Sequence, residues 1–216
     1  MQATPLTLPG QHEYHGAPFP LALEVAADSL ETAREWITEN AVSLGTQAAA
    51  HGAVLLRGLP LATPEDFDAA VTAFGFPNFS YADSLSNAYR LNFTERVFSA
   101  NEAPPEVTIF LHHEMAQTPI YPSKLFFFCQ SAPETGGATP ICRSDILWER
   151  LTTERPSFAS DCKDKGLKYS NVMPAEADTQ SGMGRSWQST FSVETHESAE
   201  ARMTDLGYTC LLYTSD

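Results

Sequence analysis

The sequence predicts a single α+β domain arranged around a β-sandwich or an open barrel. Three observations lead there. Capped segments with helical periodicity dominate the N-terminal part, the period turns strand-like from Val107, and long polar loops separate the later strands. With 216 residues the chain is long enough for one domain with a real core, or for part of a larger one.

Residues 1–20 read as an irregular arm and residues 21–209 as the domain. Asp28 and Glu31 form a plausible capping pair for a helix through "ETAREWITENAVSLGTQAAA". Trp36, Ile37, Val42 and Leu44 are the candidates for its buried stripe. "GAVLLRG" reads as a short buried strand ended by Gly58. "TPEDFDAAVTAFG" is a helix capped by Thr63, opened by Pro64 and closed by Gly75. Residues 76–106 are rich in loop formers. "VTIFLHH", "KLFFFCQ", "ATPIC" and "GLKYSNVM" then read as strands, being β-branched or aromatic with few breakers. Phe126, Phe127 and Phe128 are expected to be core residues alternating across their strand. "SDILWERL" and "HESAEARMTDLG" read as helices, the second stopped by Gly207.

Composition excludes several functions. A formal net charge of −14 repels phosphate backbones and anionic lipid, so neither a nucleic-acid partner nor a membrane surface is expected. No apolar run is long enough to span a bilayer, and "MQATPLTLPGQHEYHG" lacks the basic and apolar regions of a secretory signal. Cys129, Cys142, Cys162 and Cys210 show no C-x-x-C pairing and read as reduced thiols of a cytoplasmic protein.

The segment "FLHHEMAQTP" carries the chemistry. Read as a helix, "HEMAQ" would pair His113 with Gln117, and a neutral amide is a poor zinc ligand, so the zinc-protease signature fails. Read as extended chain, residues i and i+2 share a face, so His112 and Glu114 project together while His113 points away. One imidazole and one carboxylate supply two corners of the two-His, one-carboxylate triad that suits non-haem Fe(II). H-x-E alone arises often by chance, and its ordinary reading is a strand with two solvated polar residues.

The wider block changes that. "LHHEMAQTPIYPSKLFFFCQSAPETGGATPICRSD" resembles the core motif of the taurine-dioxygenase-like (TauD/TfdA) family of Fe(II)/2-oxoglutarate-dependent oxygenases, in its H-x-E, clavaminate-synthase-like branch. "HGAVLLRGLPLATPEDFDAAVTAFG" is similar to the family's N-terminal strand–helix unit, and "GRSWQSTF" to a later segment. The resemblance implies a double-stranded β-helix (jelly-roll) core with N-terminal and inserted helices. It implies Fe(II) ligation by His112 and Glu114, and contact of the Thr139 hydroxyl with the co-substrate 2-oxoglutarate. Gly136 and Gly137 allow the tight turn that would bring Thr139 inward. Ala138 departs from the acidic residue common in the family. Arg185 and Trp187 are candidates for the substrate pocket, against ordinary roles as a loop arginine and a core tryptophan. Arg57 and Arg90 could meet an anionic group, though a surface salt bridge is the commoner role.

The family's second histidine and its carboxylate-clamping arginine have no counterpart here. His196 lies too early, at a helix start, and reads as a surface residue. The ending "CLLYTSD", residues 210–216, has no family counterpart and reads as translated sequencing adapter. A non-native tail and a jelly roll incomplete at its C-terminus are therefore expected. The functional expectation is an oxygenase acting with O2 on a small, amino-acid-like substrate, this chain being an inactive fragment of it. The alternative is a non-catalytic jelly-roll binding protein without a working metal site. Nothing in the sequence specifies an oligomer.

Overall fold

The computed structural model describes residues 1–80, 84–86, 88, 90–100, 106–178 and 184–209. Cys210 and the remainder of the 210–216 tail lie outside them. The chain divides into two units, Met1–Pro77 with Phe128–Gly166, and Asn78–Phe127 with Leu167–Asp216.

In chain order the first unit contains β1 (Thr4–Leu6), β2 (His12–Tyr14), β3 (Ala17–Phe19), β4 (Leu21–Glu24), α1 (Leu30–His51), β5 (Val54–Arg57), α2 (Pro64–Ala73), α3 (Ser144–Glu154) and α4 (Pro156–Lys165). The second contains α5 (Trp187–Phe191) and α6 (His196–Asp205). β4 is the centre of a three-stranded sheet, antiparallel to β1 and parallel to β5. β2 and β3 form a separate antiparallel pair. Where an irregular arm is expected, residues 1–20 thus carry three short strands. Each has only three residues, with Pro inside β1 and β3 and Gly10 and Gly16 in the connections, so the pairing is not visible as local periodicity.

α1 starts one residue later than the expected cap. Ser29, not Asp28, accepts from the Thr32 amide, and Thr32 reaches back to complete the capping box. Ala33, Trp36, Ile37 and Leu44 form the buried stripe. Val42 does not join it and is 86% exposed. Six residues beyond Trp36, it has turned well over half a revolution past that side chain. Trp36, Ile37 and Leu44 pack with Leu23 and Val25 of the sheet region and with Ala70 of α2. α2 follows its sequence signals, with Thr63 and Asp66 as a reciprocal capping box and Pro64 in the first turn.

Gly58 ends β5 at φ +81, and a Cβ there would stand 2.8 Å from the Val25 carbonyl oxygen. Gly58→Ala is expected to destabilise this unit by about 1–2 kcal/mol from the left-handed backbone alone, before the contact is relieved. A urea midpoint equal to that of the parent would refute this.

Arg143 ties α1 to α3. Its stem lies over Gly52, its Nη1 donates to the Ala50 carbonyl, and its Nε donates to Asp145 Oδ1. A cation at orphan carbonyls of a helix C-terminus is favourably placed. The hydrogen bond from Arg143 pulls the Asp145 carboxyl down to about 2.

The four strands expected at residues 107–113, 124–130, 138–142 and 166–173 form no β-ladder among the described residues. β-propensity describes how a side chain fits a pleated, half-buried surface, and it supplies no partner strand. These segments are exposed instead: Phe110 at 80%, Phe127 at 64% and Val172 at 97%. The alternation at 126–128 does appear. Phe126 and Phe128 are half-buried around an exposed Phe127, and Phe128 stacks on Phe67 at 5.3 Å. No described helix is long and apolar enough to cross a membrane.

Candidate metal centre

His112 and Glu114 lie in the second unit, where extended chain runs into a turn beginning at Glu114. Met115 takes a left-handed backbone (φ +58), which no helix accommodates, so the zinc-protease reading fails on conformation as well as on ligand chemistry. Met115 is buried with Leu85, Phe191 and Met203. Thr118 closes the turn, its amide and its hydroxyl each 3.0 Å from the Met115 carbonyl oxygen. The carboxylate is therefore presented from a backbone fastened into a small apolar core.

The imidazole is oriented from the other side. His112 Nδ1 lies 2.7 Å from the Phe110 carbonyl oxygen. A carbonyl only accepts, so the proton is assigned to Nδ1, and in the neutral ring Nε2 is left with its lone pair. That lone pair faces Glu114 Oε2 across 4.0 Å. In that tautomer two acceptor atoms stand 4.0 Å apart with no hydrogen between them, an arrangement a cation completes. Ligand bonds of about 2.1 Å at neighbouring coordination positions would bring the two atoms to about 3.0 Å, a closure of about 1 Å. The imidazole is 56% exposed and the carboxylate 18%, so access is from the histidine side.

The same Oε2 stands 3.7 Å from Arg90 Nη2. The salt bridge expected of Arg90 is present, but Arg90 is largely enclosed rather than on the surface, at 14% side-chain exposure. No local signal links it to Glu114, since the pairing depends on tertiary folding.

The other candidates fall elsewhere. Thr139 belongs to the first unit and is exposed, following Gly136 and Gly137 at φ +69 and +66. Arg185 acts as a staple. Its Nη1 donates to the Ser84 and Ser86 carbonyls, and its Nε and Nη2 donate to Ser189 Oγ and O. Trp187 opens α5 with its ring 4.7 Å from that of His196, which is exposed at the start of α6. These contacts give Arg185 and Trp187 structural partners.

Residues 16–206 match the family described as "Taurine catabolism dioxygenase TauD, TfdA family". The chain belongs to the TauD/TfdA family. It is also 38% identical, over 207 residues, to a clavaminate synthase-like protein of Arabidopsis thaliana; the match covers 93% of this chain and 62% of that relative. The chain thus spans less than two thirds of the length of the curated relative it matches.

A TauD/TfdA member implies a metal, and the donor chemistry of His112 and Glu114 fits two of its ligands. Among the described residues no third His, Cys, Asp or Glu joins them in a metal-holding group.

Proposed function

We propose that these residues belong to an Fe(II)/2-oxoglutarate-dependent oxygenase that uses O2 to oxidise a small, amino-acid-like substrate on a jelly-roll core. The supporting observation is the convergence of the His112 Nε2 lone pair and the Glu114 carboxylate across 4.0 Å. Bound iron and 2-oxoglutarate would supply the oxidising power, and the protein's part is to bind, orient and exclude water. In this reading Thr139 contacts 2-oxoglutarate, and Arg185 and Trp187 border the substrate pocket. Free thiols at Cys129, Cys142 and Cys162 accord with a cytoplasmic setting.

Among the described residues His112 and Glu114 are joined by no third ligand, and two ligands hold a divalent ion weakly, so the 216-residue chain is proposed to be inactive alone. Incubated with Fe(II), O2 and carboxyl-labelled 2-oxoglutarate, it should release no labelled CO2 above a His112→Ala control. Release abolished by that substitution would overturn the claim of inactivity while supporting the ligand assignment. Metal binding indifferent to both His112→Ala and Glu114→Gln would overturn the assignment itself. The competing reading is a non-catalytic jelly-roll binding protein lacking a functional metal site. Metal titration of the chain beside its His112→Ala variant separates the two, since only the first reading predicts binding that the substitution abolishes.

A further inference from the structure

We infer that Arg90 is a positioning residue for Glu114, fixing the carboxylate where a cation shared with His112 can meet it. The inference rests on the proposed metal-ligand role of His112 and Glu114. Arg90 is itself built in. Its Nη1 donates to the carbonyls of Ser99 and Ala100, and its Cζ lies 5.7 Å from the centre of the Phe98 ring. Those carbonyls belong to a loop that is closed by its own bonds. The Leu91 amide donates to Ser99 Oγ, the Ser99 amide to the Leu91 carbonyl, and the Phe93 amide to the Val97 carbonyl. With Nη1 so anchored, Nη2 is the nitrogen turned to Glu114.

At 3.7 Å the contact is longer than a hydrogen bond, so Arg90 attracts Oε2 by charge without consuming its lone pair. The oxygen stays available to a cation. A guanidinium also repels a divalent ion, and the two effects differ in screening. Attraction acts between groups that are 14% and 18% exposed, whereas an incoming ion, though bound to the same Oε2, also lies at the 56%-exposed imidazole and keeps water on that side, which weakens its repulsion. Positioning therefore wins. Without Arg90 a largely enclosed carboxylate loses its counter-charge and turns toward solvent.

The test is a Mn(II) titration of the full 216-residue chain, read as paramagnetic broadening of histidine ring C–H signals. His112 is assigned by the signal missing from His112→Ala. Arg90→Gln removes the charge and is two bonds too short to hold the two carbonyls, and it should raise the Mn(II) concentration that broadens His112 about tenfold. Arg90→Lys keeps the charge but not the planar fork, and it should recover most of the loss. Unchanged or tighter binding in Arg90→Gln overturns the inference and leaves the metal pair standing. Equal loss in a folded Arg90→Lys overturns it too, because the carbonyl fork alone would then matter. If Arg90→Gln fails to fold, Arg90→Lys is compared with the parent: binding within about threefold supports the inference, and a loss of about tenfold overturns it. Broadening of His112 in the parent that is indifferent to Glu114→Gln removes the underlying ligand assignment, a failure distinct from the others.

Discussion

Replacing Trp36 with alanine is expected to remove about 3–5 kcal/mol from the stability of the first unit. Trp36 is 4% exposed and packs with Leu23, Val25, Ile37, Leu44 and Ala70, so its loss opens a cavity where the sheet region, α1 and α2 meet. Domains of this kind have only about 5–15 kcal/mol in total, so the variant should be near its limit at room temperature. The measurement is urea unfolding followed by helix ellipticity, since the substitution removes a fluorophore. Val42→Ala on the same helix is the control. With an 86% exposed side chain it should change stability by no more than about 0.5 kcal/mol. Comparable losses in the two variants would mean that the buried stripe of α1 has been assigned to the wrong face.

The helices were readable in the sequence because their signals are local. Thr63, Pro64 and Asp66 declare a start within four positions, and Gly75 and Gly207 mark stops at positive φ. α4 gives no periodic signal, because "PSFASDCKDK" is polar nearly all round and buries only Ala159. Pairing is not local. β4 joins β5 in parallel across the whole of α1, and nothing in "LALE" announces its partner. Residues 107–113 show the converse error, a strand-like composition with no ladder among the described residues. The site divides along the same line. The i, i+2 spacing was enough to put His112 and Glu114 on one side, whereas Arg90 beside Glu114 required the loop through Ser99 and Ala100 to form first. The local part of the site is therefore legible from sequence, and its supporting contacts are not.

Met115→Gly is expected to be less destabilising than Met115→Ala, by about 1 kcal/mol. Within regular structure the order is the reverse, with glycine costing about 0.5–1 kcal/mol more than alanine. Both variants lose the buried thioether, and with it about 2–5 kcal/mol of packing against Leu85, Phe191 and Met203. Alanine keeps the strain of φ +58, while glycine adopts that backbone freely. Urea midpoints of the two variants decide the point, and alanine the more stable would show that the left-handed turn is not held under strain. The comparison also bears on function, because Met115 directly follows Glu114. A sequence that tolerates a bulky residue in a costly backbone conformation needs a compensating gain, and here the gain is burial that fastens the carboxylate. Met115→Leu should therefore preserve the turn and Mn(II) binding at His112. The glycine variant, more stable than alanine but unanchored, should bind the ion no better than alanine does.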